Sequence, residues 1–143
     1  MHDGLNDPLE SLLGYQMRRA LLASMGELVD SFEKLGLRLA EATILRIIGS
    51  NPGCNQSAVG RALGVKRTNM VPIIATLEGR GLIVRAPADG RSNALSLTAE
   101  GEALLARADA VTRAHEERHF GDVTPELKAQ ILALCRQIRE RVD

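Results

Sequence analysis

The chain has 143 residues, 45% of them hydrophobic and 25% charged, a balance that excludes an intrinsically disordered polymer and fits one globular domain. Eighteen basic and eighteen acidic side chains cancel, which excludes a uniform polycation, and with one Tyr, two Phe and no Trp a base-stacking surface for single-stranded nucleic acid is hard to build. No apolar run approaches the ~20 residues that cross a bilayer, the polar, acidic start MHDGLNDPLE is unlike a signal peptide, and two distant cysteines, Cys54 and Cys135, fit a reducing compartment; a cytoplasmic protein with no membrane partner is expected.

In chain order, apolar residues at three- and four-residue steps from Leu9 to Phe32 predict a long helix over 9–32. Residues 41–50 (EATILRIIGS) predict a shorter apolar helix, stopped by Asn51-Pro52-Gly53. Two further helices are expected over 56–63 and about 67–80, joined by the tight turn Leu63-Gly64-Val65. Short strands are expected over 82–85 and 94–97, with an Asp89-Gly90 hairpin signal in the segment between them. Thr98 suits the N-cap of a helix reaching about Phe120. Thr124-Pro125-Glu126 suits the start of a last helix, whose Leu127, Ile131, Leu134 and Ile138 form one stripe.

Charge is unevenly distributed along this order. Residues 1–60 carry net −2, residues 61–97 carry net +4 (Arg61, Lys66, Arg67, Arg80, Arg85, Arg91 against Glu78, Asp89), and residues 98–143 carry net −2. A phosphate backbone would be drawn to the middle and repelled by the flanks. A solvated charged face would leave the same trace.

The basic stretch contains Gln56–Ile73, QSAVGRALGVKRTNMVPI. Val59 and Leu63 are apolar, Gly60 is small where two helices cross, and Gly64 can take the positive φ of a sharp turn. Val65, Met70 and Ile73 are spaced to pack a second helix across the first, the helix-turn-helix pattern, whose second helix lies in a DNA major groove. A generic αα-corner fits the pattern too, but here a hairpin follows directly, as in a winged helix.

From Ile44 to Leu105 the order of two helices, an "LE..GL" helix end, a strand, a "D-x-R" wing and an "LT..G" helix start resembles the MarR family of bacterial transcriptional regulators, and the likeness extends over nearly the whole chain. It implies a mainly α fold with a small β-hairpin wing: a winged helix-turn-helix lobe over 41–97, flanked by helical dimerisation segments over 1–40 and 98–143. It also implies a homodimer, a pseudo-palindromic double-stranded DNA operator, repression, and release by a small aromatic carboxylate or phenolic effector. No catalytic residue, resident metal or cofactor is expected.

Carried onto this sequence, the resemblance starts the recognition helix near Lys66. Arg67, Thr68 and Asn69 would face base edges and phosphates, Arg pairing with guanine and Asn with adenine. Gln56 and Ser57 would meet backbone phosphates at a helix N-terminus. Asp89 would orient Arg91, which enters the minor groove. The effector pocket would draw on the first helix, the start of the second and the dimerisation helix. Arg19 and Arg38 would hold a carboxylate, and Tyr15, Gln16 and His115 would hydrogen-bond a phenol or methoxy group. Surface salt bridges would explain the two arginines equally well. Two positions that are often basic in the family are Pro72 and Thr76 here; Pro72 predicts a recognition helix that starts late or bends near Thr68.

Two other patterns suggest alternatives. His115-Glu116-Glu117-Arg118-His119 spells H-E-x-x-H, which on a helix would be the start of a zinc hydrolase site or of a metal-responsive regulator, given further ligands. Cys54 would serve a redox-responsive regulator only if its surroundings lowered its pKa, and nothing local in the sequence does so.

Overall fold

The computed structural model describes residues 4–88 and 93–142, so the Asp89-Gly90 hairpin signal lies outside the described residues. The chain divides into two compact units, Met1–Thr112 and Arg113–Asp143. In order the elements are α1 (Leu13–Glu33), α2 (Leu39–Ser50), α3 (Gln56–Leu63), α4 (Arg67–Gly79), β1 (Ile83–Pro87), β2 (Asn93–Leu97), α5 (Ala99–Phe120) and α6 (Pro125–Glu140). The fold is mainly helical, with one antiparallel hairpin, as expected.

In the first unit, α1 begins four residues later than its apolar spacing predicts. The Asp7 carboxylate accepts the Leu9 N–H at 2.9 Å, and Leu12 is extended at φ −86°, ψ 108°. A short polar side chain thus offers the backbone an alternative to the helix. The other end of α1 closes with the Leu37 N–H on the Phe32 carbonyl at 3.0 Å, both side chains buried. Helix α2 starts two residues early because the Glu41 carboxylate accepts the Arg38 N–H at 2.8 Å, the return half of a capping box.

The helix-turn-helix forms as its residues predict. Asn55 caps α3, its side chain accepting the Ala58 N–H at 2.8 Å. Gly64 ends α3 in the left-handed region at φ 63°, and the Val65 N–H returns to the Gly60 carbonyl at 2.9 Å. A Cβ at Gly60 would meet the Val65 carbonyl oxygen at 3.1 Å and Met70 Cγ at 3.4 Å, so the second helix packs where only a small residue fits easily.

The late start expected for α4 is corrected. The helix starts at Arg67 without delay, and Pro72 lies inside it. Proline removes the bond that its N–H would make to the Thr68 carbonyl, but Thr68 is exposed and water can replace that donor. The Met70 N–H already closes the first turn on Lys66 at 3.0 Å.

In the hairpin Ile83 pairs with Leu97 and Arg85 with Leu95. Cys54 adds a further rung, accepting the Leu95 N–H at 2.7 Å. Thr98 fastens the hairpin base to α5: its hydroxyl donates to the Gly81 carbonyl at 2.6 Å and accepts the Gly101 N–H at 3.0 Å. Ile44, Leu45 and Ile48 of α2, Ile74 and Leu77 of α4, and Leu95 of β2 are at most 1% exposed and form the centre of the core. Each contributes roughly 1.5–3 kcal/mol by burial, and together they hold α3, α4 and the hairpin in fixed relation.

The second unit holds the end of α5 and α6. Thr124 caps α6, its hydroxyl accepting the Leu127 N–H at 3.3 Å, with Pro125 in the first turn. None of the 16 residues of α6 is buried, and Leu127, Ile131, Leu132 and Ile138 are exposed. No described helix is long and apolar enough to cross a membrane.

Candidate nucleic-acid interface

The start of α3, the first turns of α4 and the two strands enclose a concave groove of about 770 Å³. Gln56, Ser57 and Arg67, three of the residues proposed from sequence, line it together. Arg61 and Arg85 line it as well, so among the described residues three arginines and no acidic residue line the groove. Arg61 stands one turn after Ser57 on α3. Arg85 shares a strand face with the buried Ile83, which turns it toward the helices rather than outward. The capped N-terminus of α3 adds a partial positive charge. Such a surface attracts a phosphodiester backbone.

Lys66 and Arg67 also border an adjoining hollow of about 360 Å³ beside Gly60 and Gly64. Thr68 and Asn69 are exposed on the first turn of α4 and line neither recess. Asp89 and Arg91 lie outside the described residues. The sequence reading missed Arg61, Arg85 and Asn93 as groove residues. Both arginines belong to the basic stretch, and the i, i+4 step from Ser57 to Arg61 was a usable signal.

Glu41, in the first turn of α2, is buried. Besides capping α2 it pairs with Arg80, the residue that ends α4, at 3.5 Å. Arg46 of α2 pairs with Asp109 of α5.

The residues proposed for an effector fall into separate groups. Near the start of α1 the Arg19 guanidinium lies 6.0 Å from the Tyr15 ring centre, and the Gln16 amide donates to the Glu10 carbonyl at 3.0 Å. Arg38 precedes α2, beyond the far end of α1. Helix rise from Tyr15 to Glu33 amounts to about 27 Å, so within one chain no small acid reaches both Tyr15 and Arg38. His115 belongs to the second unit, where its ring is 4.5 Å from that of His119, centre to centre, and 6.3 Å from that of Phe120.

Among the described residues no group of three His, Cys, Asp or Glu side chains is placed to hold a metal. Among the described residues, then, His115 and His119 are not joined by the third protein ligand that the hydrolase reading requires. Burial pushes the Cys54 thiol above its ordinary pKa, its own backbone hydrogen bond only partly opposing this. A thiol kept protonated is a poor peroxide sensor.

A family model described as "MarR family" matches residues 35–92. The HTH-type transcriptional repressor Rv2887 of Mycobacterium tuberculosis (strain ATCC 25618 / H37Rv) is 33% identical over 123 residues, 85% of this chain and 87% of that protein. The structure of the transcriptional repressor CouR bound to a 23-mer DNA duplex matches with a TM-score of 0.81 and 35% identity, over 92% of this chain and 94% of that chain. CouR bound to p-coumaroyl-CoA matches with a TM-score of 0.78 and 32% identity, over the same 92% and 94%. A helix-turn-helix followed by its wing, in a chain that aligns with such a repressor over most of its length, belongs to the MarR family of winged-helix transcriptional regulators.

Proposed function

We propose that the protein is a homodimeric transcriptional repressor that grips a pseudo-palindromic operator and releases it on binding an aromatic, phenolic acyl ligand. The observation that carries the reading is the groove in which Arg61, Arg67 and Arg85 converge beside the N-terminus of α3. In this reading Gln56, Ser57, Arg61 and Arg85 hold phosphates, while Arg67, Thr68 and Asn69 on α4 read base edges. Arg91, oriented by Asp89, enters the minor groove from the wing. Residues 41–97 are the DNA-binding lobe, and residues 1–40 and 98–143 carry dimerisation. The exposed leucines and isoleucines of α6 support a second copy as their cover. A protein acting on the bacterial genome works in the cytoplasm.

The effector is an aromatic acid or its coenzyme A thioester. CouR supports the thioester, since it is described bound to p-coumaroyl-CoA. The spread of Tyr15, Gln16 and Arg19 from Arg38 along α1 fits a long ligand better than a small one. Release is linkage: the ligand must bind the DNA-incompetent arrangement more tightly than the competent one. A coupling of about 1–3 kcal/mol gives roughly 5–150-fold derepression.

A gel shift on the DNA upstream of the gene tests both parts. A retarded band at low salt, dispersed by p-coumaroyl-CoA or by p-coumarate, is the expected result. No retardation at low salt overturns DNA binding; retardation unaffected by either compound overturns the effector alone.

A further inference from the structure

We propose that Arg85 is a phosphate-contacting residue held in reserve by Glu78, the carboxylate occupying the guanidinium in the free protein and giving it up to a phosphodiester oxygen when DNA enters the groove. The inference rests on the DNA-binding reading above. Glu78 sits in the last turns of α4, and its Oε2 accepts the Arg85 Nε–H at 2.5 Å. Arg85 and Leu95, its partner across the hairpin, line the same groove as Arg67 and Arg61. Among the described residues the pairing engages the Nε–H, one of the five N–H donors of a guanidinium.

Both partners are partly open to solvent, with side-chain exposures of 33% for Arg85 and 44% for Glu78. An ion pair so exposed is weak. A phosphate can accept two guanidinium N–H donors at once, with release of a condensed counterion in addition. Glu78 is also one of only two acidic residues in the basic stretch 61–97, the other being Asp89. Every duplex, whatever its sequence, meets this competition, so Glu78 lowers affinity uniformly and leaves discrimination to the base contacts of α4.

The test is fluorescence anisotropy of full-length protein on a labelled mixed-sequence duplex over a series of salt concentrations. Arg85→Ala should weaken binding and lower the slope of log K against log salt by about one. Glu78→Gln should tighten binding about two- to fivefold, the range set by breaking an exposed ion pair. In the Arg85→Ala background Glu78→Gln should change nothing measurable, because the carboxylate acts through that guanidinium. If Glu78→Gln weakens binding, the carboxylate is a pin that positions Arg85, and the proposal is overturned. An equal gain in both backgrounds overturns it too, as general repulsion. If the unaltered protein binds no duplex even at low salt, the DNA-binding reading itself fails, an outcome distinct from any ordering of the variants.

Discussion

Gly101 is the position at which a single methyl group should do most damage. It lies in the first turn of α5, under the peptide of Leu82. A Cβ there would come within 3.0 Å of the Leu82 carbonyl carbon and 3.4 Å of its Cα, with the carbonyl oxygen closer still. Non-bonded carbons settle at about 3.5–4.0 Å, and the obstacle is backbone, which cannot swing aside. The Leu82 carbonyl also accepts the Thr98 N–H at 3.1 Å, and the Thr98 hydroxyl donates to the neighbouring Gly81 carbonyl at 2.6 Å. Separating the two segments therefore strains two hydrogen bonds worth about 1 kcal/mol each, on top of about 1–3 kcal/mol for overpacking. The gain in helix propensity from glycine to alanine returns about 1 kcal/mol. Gly101→Ala should thus destabilise the protein by about 2–4 kcal/mol and lower the melting temperature by about 10 °C at fixed protein concentration. Gly79→Ala is the internal comparison: its Cβ meets nothing within 4 Å, and the variant should melt no lower than the parent. An unchanged or raised melting temperature for Gly101→Ala refutes the close docking of α5 beneath the hairpin base.

Arg67→Ala and Asn69→Ala should each cost about 1–3 kcal/mol on operator DNA and relax sequence preference, as read by competition between operator and scrambled duplexes; normal selectivity in both would misplace the reading face. Ile131→Glu puts a charge on the exposed apolar face of α6, and sedimentation should then show one chain where the parent shows two; an unaltered mass removes that face from the dimer interface. The raised Cys54 pKa makes the folded thiol slower to alkylate at pH 8 than the same cysteine in unfolded chain, with the difference vanishing as pH rises through the folded value. Because the unfolded thiol loses its proton first, at about pH 8.5, this group's contribution to stability falls as pH rises above that point. Comparing Cys54→Ser with the parent in alkaline melts checks the sign.

What the sequence disclosed and what it withheld have physical causes. The α3–α4 turn was legible because it depends on local chemistry: glycine in the left-handed region at 64, and apolar residues spaced for a crossing. Thr98 and Thr124 were legible for the same reason. The start of α1 was not, since periodicity continues through Leu9 and Leu12 while the Asp7 carboxylate diverts the backbone there. Pro72 misled about where α4 starts, because the cost of a missing N–H depends on whether its would-be partner is exposed, which only the fold decides. The groove was half legible: Gln56, Ser57 and Arg67 are local to the motif, whereas Arg85 reaches it only through hairpin register and the pleat. The proposed effector residues were matched by type, and the length of α1 separates them.

Hydroxyl-radical footprinting of the full-length protein on its upstream DNA addresses the central claim most directly. Two copies of α4 entering successive major grooves should protect two half-sites centred about 34 Å, one helical turn, apart, and Arg67→Ala should weaken both together. A single protected half-site, or a footprint indifferent to Arg67, would contradict it.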